Sequence, residues 1–219
     1  MVARGVKRGK VPKFALLQPF IPLLISWQGK GALYSMTQVE LDKEPNFLRD
    51  RKLISGLYIN ELLVRLLASG DPHIDLFDFY QQAIQNLVVT DTEQVVLRLF
   101  EKRLLMTIGY ELPLIKDVVM GSIVSSDCYY FFDLEQGPQK IEGNPSNPSN
   151  LSNFGDVNVL SRMDKQTNIF KGSSLLALHN EELHTKEELQ DAKKLLRMAL
   201  ALRLGSQPLH TRKLLYIKV

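Results

Sequence analysis

Seven cations close the chain: Lys193, Lys194, Arg197, Arg203, Arg212, Lys213 and Lys218, with no Asp or Glu between residues 193 and 219. Six more open it (Arg4, Lys7, Arg8, Lys10, Lys13 and Lys30), and no acid precedes Glu40. Massed guanidinium and ammonium groups neutralise phosphates, so what they offer is polyanion binding rather than bond making. In VARGVKRGK the cations are interleaved with glycines, which let a backbone approach a phosphate strand closely; a solvated loop accounts for the same residues. Arg197 shares a helix face with Lys193 and Lys194. Arg203 falls near a helix C-terminus, where a cation complements the helix dipole. Arg212 and Lys213 fall in the first turns of a helix, where that explanation does not reach.

A different cation, Arg98, stands among Leu97, Leu99 and Phe100 in VVLRLFEKRLL. Arg beside an apolar groove suits a peptide ending in a hydrophobic residue and a carboxylate. An Arg stem packed on a helix bundle explains it as well.

Evidence for catalysis is thin. HNEELH (179–184) sets two His five apart, not at the i, i+4 spacing that places both imidazoles on one helix face, and reads as an exposed polar turn. No phosphate-cradling glycine loop or nucleophile elbow is present. Asp127, Asp133 and Glu135 lack partners at a metal-binding spacing. Tyr129-Tyr130-Phe131-Phe132 offers aromatic faces for base stacking, but an alternating strand over the core explains it better. Cys128 reads as a small buried apolar residue; a lone thiol excludes an internal disulfide or a multi-Cys zinc site and suits a reducing cytosol.

The chain of 219 residues, 45% hydrophobic and 23% charged, is long enough to bury a core. Its net charge of +3 conceals a middle segment, 40–192, with 14 Lys/Arg against 24 Asp/Glu. No apolar run reaches transmembrane length: FALLQPFIPLLISW is short and interrupted by Pro19 and Pro22. No small-residue cleavage site follows the basic start, so a signal peptide is not expected.

The elements that must position these residues follow from periodicity. LLISW and ALYSMTQVEL read as strands of a hairpin about residues 28–31, too few for an independent sheet, hence part of a barrel or sandwich. From Lys52 the period turns helical, with Leu53, Leu57, Leu62 and Leu66 on an apolar face up to Gly70. A second helix is expected to start at Asp71 (N-cap) and Pro72 and to run to Leu87. A third begins at Asp91 and is stopped by Gly109. A short hairpin over 127–142 and a flexible Asn/Ser/Pro loop over 143–168 follow. A capping box, Thr185 to Glu188, opens a helix over 187–204, closed by Gly205, and Pro208 opens a last one.

Four stretches together resemble the RecO family of bacterial recombination mediators, in its gamma-proteobacterial form. These are VARGVKRGK with ALLQPFIPLLI (15–25), SGLYINELLVRLL (55–67), LRLFEKRLLMTIGY (97–110) and RMALALRLGSQPLHTRKLL (197–215). The resemblance implies an α+β protein with a partial N-terminal OB-fold β-barrel followed by an α-helical domain with a small β-hairpin. It divides the chain into 1–45 and 46–219 and places the start at the family's third barrel strand. It implies no enzymatic turnover; no cofactor and no membrane partner are expected, and the single Cys leaves no place for the structural zinc that four cysteines hold in many relatives, as in the gamma-proteobacterial branch. The resemblance implies a cytoplasmic, nucleoid-associated protein that binds and anneals single- and double-stranded DNA. Such a protein helps load RecA onto strands coated by single-strand-binding protein (SSB), with the SSB C-terminal tail and RecR as partners. Arg4, Lys7, Arg8 and Arg212 fall on the family's DNA-facing positions, and Lys10, Lys13, Arg197 and Lys213, cations of the same two basic ends, would face DNA with them. Arg98, Tyr58 and Leu62 would receive the SSB tail. His210-Thr211 stands where the family commonly has Lys-Ser, keeping the hydroxyl. A module that binds the SSB tail without DNA-binding activity of its own is the alternative.

Overall fold

The computed structural model describes residues 15–29, 34–142 and 168–214. Arg4, Lys7, Arg8, Lys10 and Lys13 lie outside these residues, as do 143–167 of the expected loop and the Lys213 side chain. Strands β1 (Leu23–Gln28) and β2 (Ser35–Leu41) pair antiparallel with Ile25 opposite Val39, and the ladder is extended by Asp42 N–H donating to Pro22 O at 3.0 Å. The prolines precede β1, where a missing N–H does no harm. The segment before β1 docks on helix α1 (Asp50–Leu66) through Phe20. Gly56 permits that approach: a Cβ there would lie 2.8 Å from Phe20 Cζ and 2.6 Å from Leu48 Cδ1.

Helices α2 (Ile74–Val89) and α3 (Glu93–Thr107) follow. Helix α3 is central: α1, α2 and a later helix, α5 (Lys186–Leu204), all pack on it. Phe100 and Leu104 are fully buried at its middle, against Ile59 and Leu62 of α1, Leu87 of α2 and Leu196 of α5 in one core. On α1 the buried stripe is Ser55, Tyr58, Ile59 and Leu62, and Leu66 packs against the core, so Leu62 and Leu66 of the expected leucine face point inward whereas Leu53 is exposed. Helix α2 starts two residues later than expected. Its N-cap position is His73, with no side-chain cap, and the Asp71 carboxylate lies 3.3 Å from His73 Nε2 instead of capping the helix. Likewise α3 starts after Thr92, whose N–H donates to Thr90 Oγ1 at 3.0 Å in a local turn that leaves Asp91 outside the helix.

The expected hairpin, β3 (Tyr129–Asp133) with β4 (Gly137–Ile141), is one part of a three-stranded sheet of order β4-β3-β5 completed by β5 (Ile169–Lys171). Tyr130 and Phe132 turn into the core and Phe132 meets Phe170 edge-on at 6.2 Å, so the aromatic run is an alternating strand. Its turn is held by Asp133 Oδ1, which accepts from Glu135 N–H and Gln136 N–H. Helix α4 (Gly172–Asn180), absent from the sequence reading, packs on α5. The capping box opening α5 is formed as expected, and Gly205 closes the helix. The last helix, α6 (His210–Leu214), starts two residues beyond Pro208. Among the described residues the fold is α+β: a two-stranded piece of a partial OB-fold barrel, then a helical body bearing a small sheet.

Candidate functional site

Helical spacing gathers the chemistry. Gln94, Leu97, Arg98 and Glu101 fall at i, i+3, i+4 and i+7 on one face of α3, Arg51 and Tyr58 stand two turns apart on α1, and Lys193 and Arg197 one turn apart on α5. Because α1, α3 and α5 pack together and α6 lies on α1, these faces and Arg212 line one pocket of about 160 Å³. Its wall holds five cations, Arg51, Arg98, Lys193, Arg197 and Arg212, against the single carboxylate of Glu101.

A buried triad forms the base. Arg98 Nη2 donates to Glu101 Oε1 at 2.7 Å, and the Tyr58 hydroxyl donates to the same oxygen at 2.6 Å. Arg98 is 5% exposed and Glu101 1%. Burial, then the charge of Glu101 and the hydrogen bond to it, raise the Tyr58 pKa far above the usual phenol range, against the opposite pull of Arg98 and Arg212. Tyr58 is therefore a hydrogen-bond donor at every physiological pH. Arg98 Nε and Glu101 Oε2 have no hydrogen-bond partner among the described residues. A buried ion pair stabilises little compared with an apolar pair of the same size, because both charges lose their hydration. Its physical consequence is orientation: the guanidinium is fixed at the base of a cationic pocket. With the other four cations around it, that pocket is chemically suited to a carboxylate or phosphate.

The structure redistributes the residues picked out from sequence. Arg98 and Tyr58 line the pocket, but Arg98 is an ion-paired wall residue rather than a free cation beside an apolar groove. Leu62 is fully buried in the core and is not part of the wall. Arg197 and Arg212, expected on a separate DNA-facing surface, line the same pocket as Arg98. Arg51, Gln94 and Glu101 were missed as site residues, and Lys193 was read only as one cation of the basic C-terminal end; Glu101, three residues from Arg98, was the legible signal. Arg203 stacks its guanidinium 3.3 Å above the centre of the Tyr110 ring, which gives it a role beyond the helix dipole. In HNEELH, His179 and Asn180 end α4, Glu181 follows in the left-handed region at φ 64° and accepts from Lys102 Nζ at 2.9 Å, and Leu183 is buried, so only part of the segment is the exposed turn expected. Cys128 is half-buried, and among the described residues no cluster of His, Cys, Asp and Glu could hold a metal.

The family described as Recombination protein O C terminal matches residues 51–213, a span that takes in every wall residue of the pocket. The chain belongs to the RecO family. Its RecO relatives include one named "DNA repair protein RecO" from Nitrosococcus oceani, 37% identical over 215 residues that make up 98% of this chain and 80% of the relative. A protein of the same name from Coxiella burnetii is 37% identical over 98% of this chain and 82% of its own length. Another, from Methylococcus capsulatus, is 31% identical over 98% of this chain and 79% of its own length. Among the described residues no helix of this RecO-family chain is long and apolar enough to cross a membrane.

Proposed function

We propose that this protein is a non-enzymatic DNA repair and homologous recombination mediator. It binds single- and double-stranded DNA, anneals complementary strands and helps load RecA onto SSB-coated single strands, acting in the cytoplasm at the nucleoid with SSB and RecR as partners. The observation that supports this reading best is the pocket with five cations about the buried Arg98–Glu101–Tyr58 triad. The terminal carboxylate and acidic side chains of an SSB tail would meet those cations, with Tyr58 and Leu97 as the nearest apolar surface. The cations of the first thirteen residues, together with Arg197, Arg212 and Lys213, would neutralise DNA phosphates. Two strands held on one cationic surface lose much of their mutual repulsion and pair. Anchoring to the SSB tail raises the local concentration of mediator on coated strands. In this reading residues 1–45 form the barrel unit and 46–219 the helical domain.

A second reading keeps the SSB tail alone. It is favoured by the size of the pocket, about 160 Å³, which suits one carboxylate better than a strand. Fluorescence anisotropy separates the two. Labelled single-stranded DNA is titrated across a salt series, with an SSB-tail peptide and its C-terminally amidated form in parallel. On the mediator reading DNA affinity falls linearly in log salt, with a slope of about −0.7 per phosphate contacted, and the free-acid peptide binds more tightly than the amide. Peptide binding without DNA binding selects the second reading. Equal binding of acid and amide removes the pocket from both.

A further inference from the structure

Arg212 belongs to α6, a helix of five residues, too short to hold its place unaided. Leu209, just before it, is buried in the core, and the polar hold on it comes from α1. Glu61 Oε1 accepts from His210 N–H at 2.7 Å, and Glu61 Oε2 accepts from Thr211 N–H at 2.9 Å and from the Thr211 hydroxyl at 2.6 Å. One turn along the same helix, Arg65 Nη2 donates to Leu204 O at 2.7 Å, the end of α5, and its Nη1 to Pro208 O at 3.3 Å. Two residues spaced i, i+4 on α1 thus grip both ends of the α5–α6 connection. The Glu61 carboxylate accepts from N–H groups at the start of α6, and Arg65 satisfies one carbonyl left over at the end of α5, Leu204 O, and one in the connection, Pro208 O. Arg212 follows Thr211 directly and lines the pocket. Tyr58, on the same helix as the grip, lines the pocket too, so a single rigid element ties the triad to Arg212.

We propose that Glu61 and Arg65 are positioning residues for the cationic pocket, acting through the α5–α6 connection to hold Arg212 at its wall. The proposal rests on the reading of that pocket as the SSB-tail site. Neither Glu61 nor Arg65 lines the pocket. Glu61 carries a negative charge close to a site that selects anions, so on charge alone its loss would strengthen binding. Through Arg212, its loss weakens binding. The sign of the effect therefore distinguishes positioning from simple electrostatics.

The test is a double-mutant cycle with the full chain, using Glu61→Ala, Arg212→Ala and the pair. The labelled SSB-tail peptide is the probe, and hydrogen exchange at the amides of residues 206–214 is the second readout. Glu61→Gln, which keeps one carbonyl acceptor, is the milder variant should the alanine form unfold. Glu61→Ala is expected to weaken peptide binding about tenfold, the size of coupling seen between residues sharing one network, and to have no further effect once Arg212 is Ala. Glu61→Gln should fall between. Protection at His210 and Thr211 should drop while the rest of the chain keeps its own. Equal loss in both backgrounds, stronger binding, or unchanged protection at 210–211 would each overturn the proposal. If the unaltered chain binds no peptide, the reading of the pocket fails. The grip on α6 is then judged by exchange alone, and unchanged protection refutes it.

Discussion

A carboxylate on this protein acts according to what donates to it. Glu101 receives a guanidinium and a phenol out of water, so removing one donor leaves charge buried without compensation. Arg98→Ala is expected to lower stability by about 3–5 kcal/mol, read by chemical denaturation. Tyr58→Phe removes a neutral donor and should cost less. Glu61 and Glu188 are the surface counterparts. For each, partial burial pushes the pKa up, but hydrogen bonds outweigh it and leave the pKa below the ordinary carboxylate value of 4.5: from Thr211 and His210 for Glu61, from Thr185 and His184 for Glu188. A lowered folded-state pKa means the carboxylate form is favoured by folding. Its contribution is present above the unfolded value and disappears as pH falls through the folded one. Stability measured downward from pH 5 should therefore fall less steeply in Glu61→Gln and Glu188→Gln than in the unaltered chain.

At the scale of elements, local chemistry decides where helices start, and packing decides which face they bury. The α5 start is a full capping box: Glu188 N–H donates to Thr185 Oγ1 at 3.2 Å and Glu188 Oε2 accepts from Thr185 N–H at 2.8 Å. Thr185→Ala should cost about 0.5–2 kcal/mol in a thermal or urea melt. The junction of β5 and α4 depends on a missing side chain. A Cβ on Gly172 would run into the carbonyl oxygen of Ser125 and lie 3.0 Å from the Tyr130 ring. Backbone cannot swing aside as a side chain can, so Gly172→Ala is expected to destabilise by about 1–3 kcal/mol or more. A melt within error of the unaltered chain would count against that packing.

For the molecule as a whole, the site exists because three long helices and one short one converge. Charge reversal at one convergent position should then affect every anion that uses the pocket. Arg197→Glu and Arg212→Glu are each expected to weaken the SSB-tail peptide. On the mediator reading each also lowers DNA affinity and makes the log-salt slope shallower by about 0.7, the share of one phosphate contact on a single strand. Anisotropy at two salt concentrations reads both. A change in peptide binding with no change in DNA slope would assign these cations to the peptide alone.

Local order was legible in the amino-acid sequence. The Thr185–Glu188 box, the Gly205 stop, the three-helix run, the pairing of the two strands β1 and β2 and the alternating Tyr129–Phe132 strand are all short-range: each rests on residues close to one another in the chain, whose spacing sets the backbone or the face. The cationic character of Arg98, Arg197 and Arg212 was visible for the same reason. What the sequence could not supply was proximity. Helix α4 and strand β5 are short apolar runs whose type is decided by the neighbours they pair with. Which residues of α1 are buried, Tyr58 with Leu62 but not Leu53, is set by what packs on it. The meeting of Arg98 with Arg197 and Arg212 in one pocket, and the grip of Glu61 on Thr211 across 150 positions of chain, depend on how α1, α3, α5 and α6 pack, which only the tertiary structure decides. Side chains that far apart in sequence carry no periodic signature of their contact.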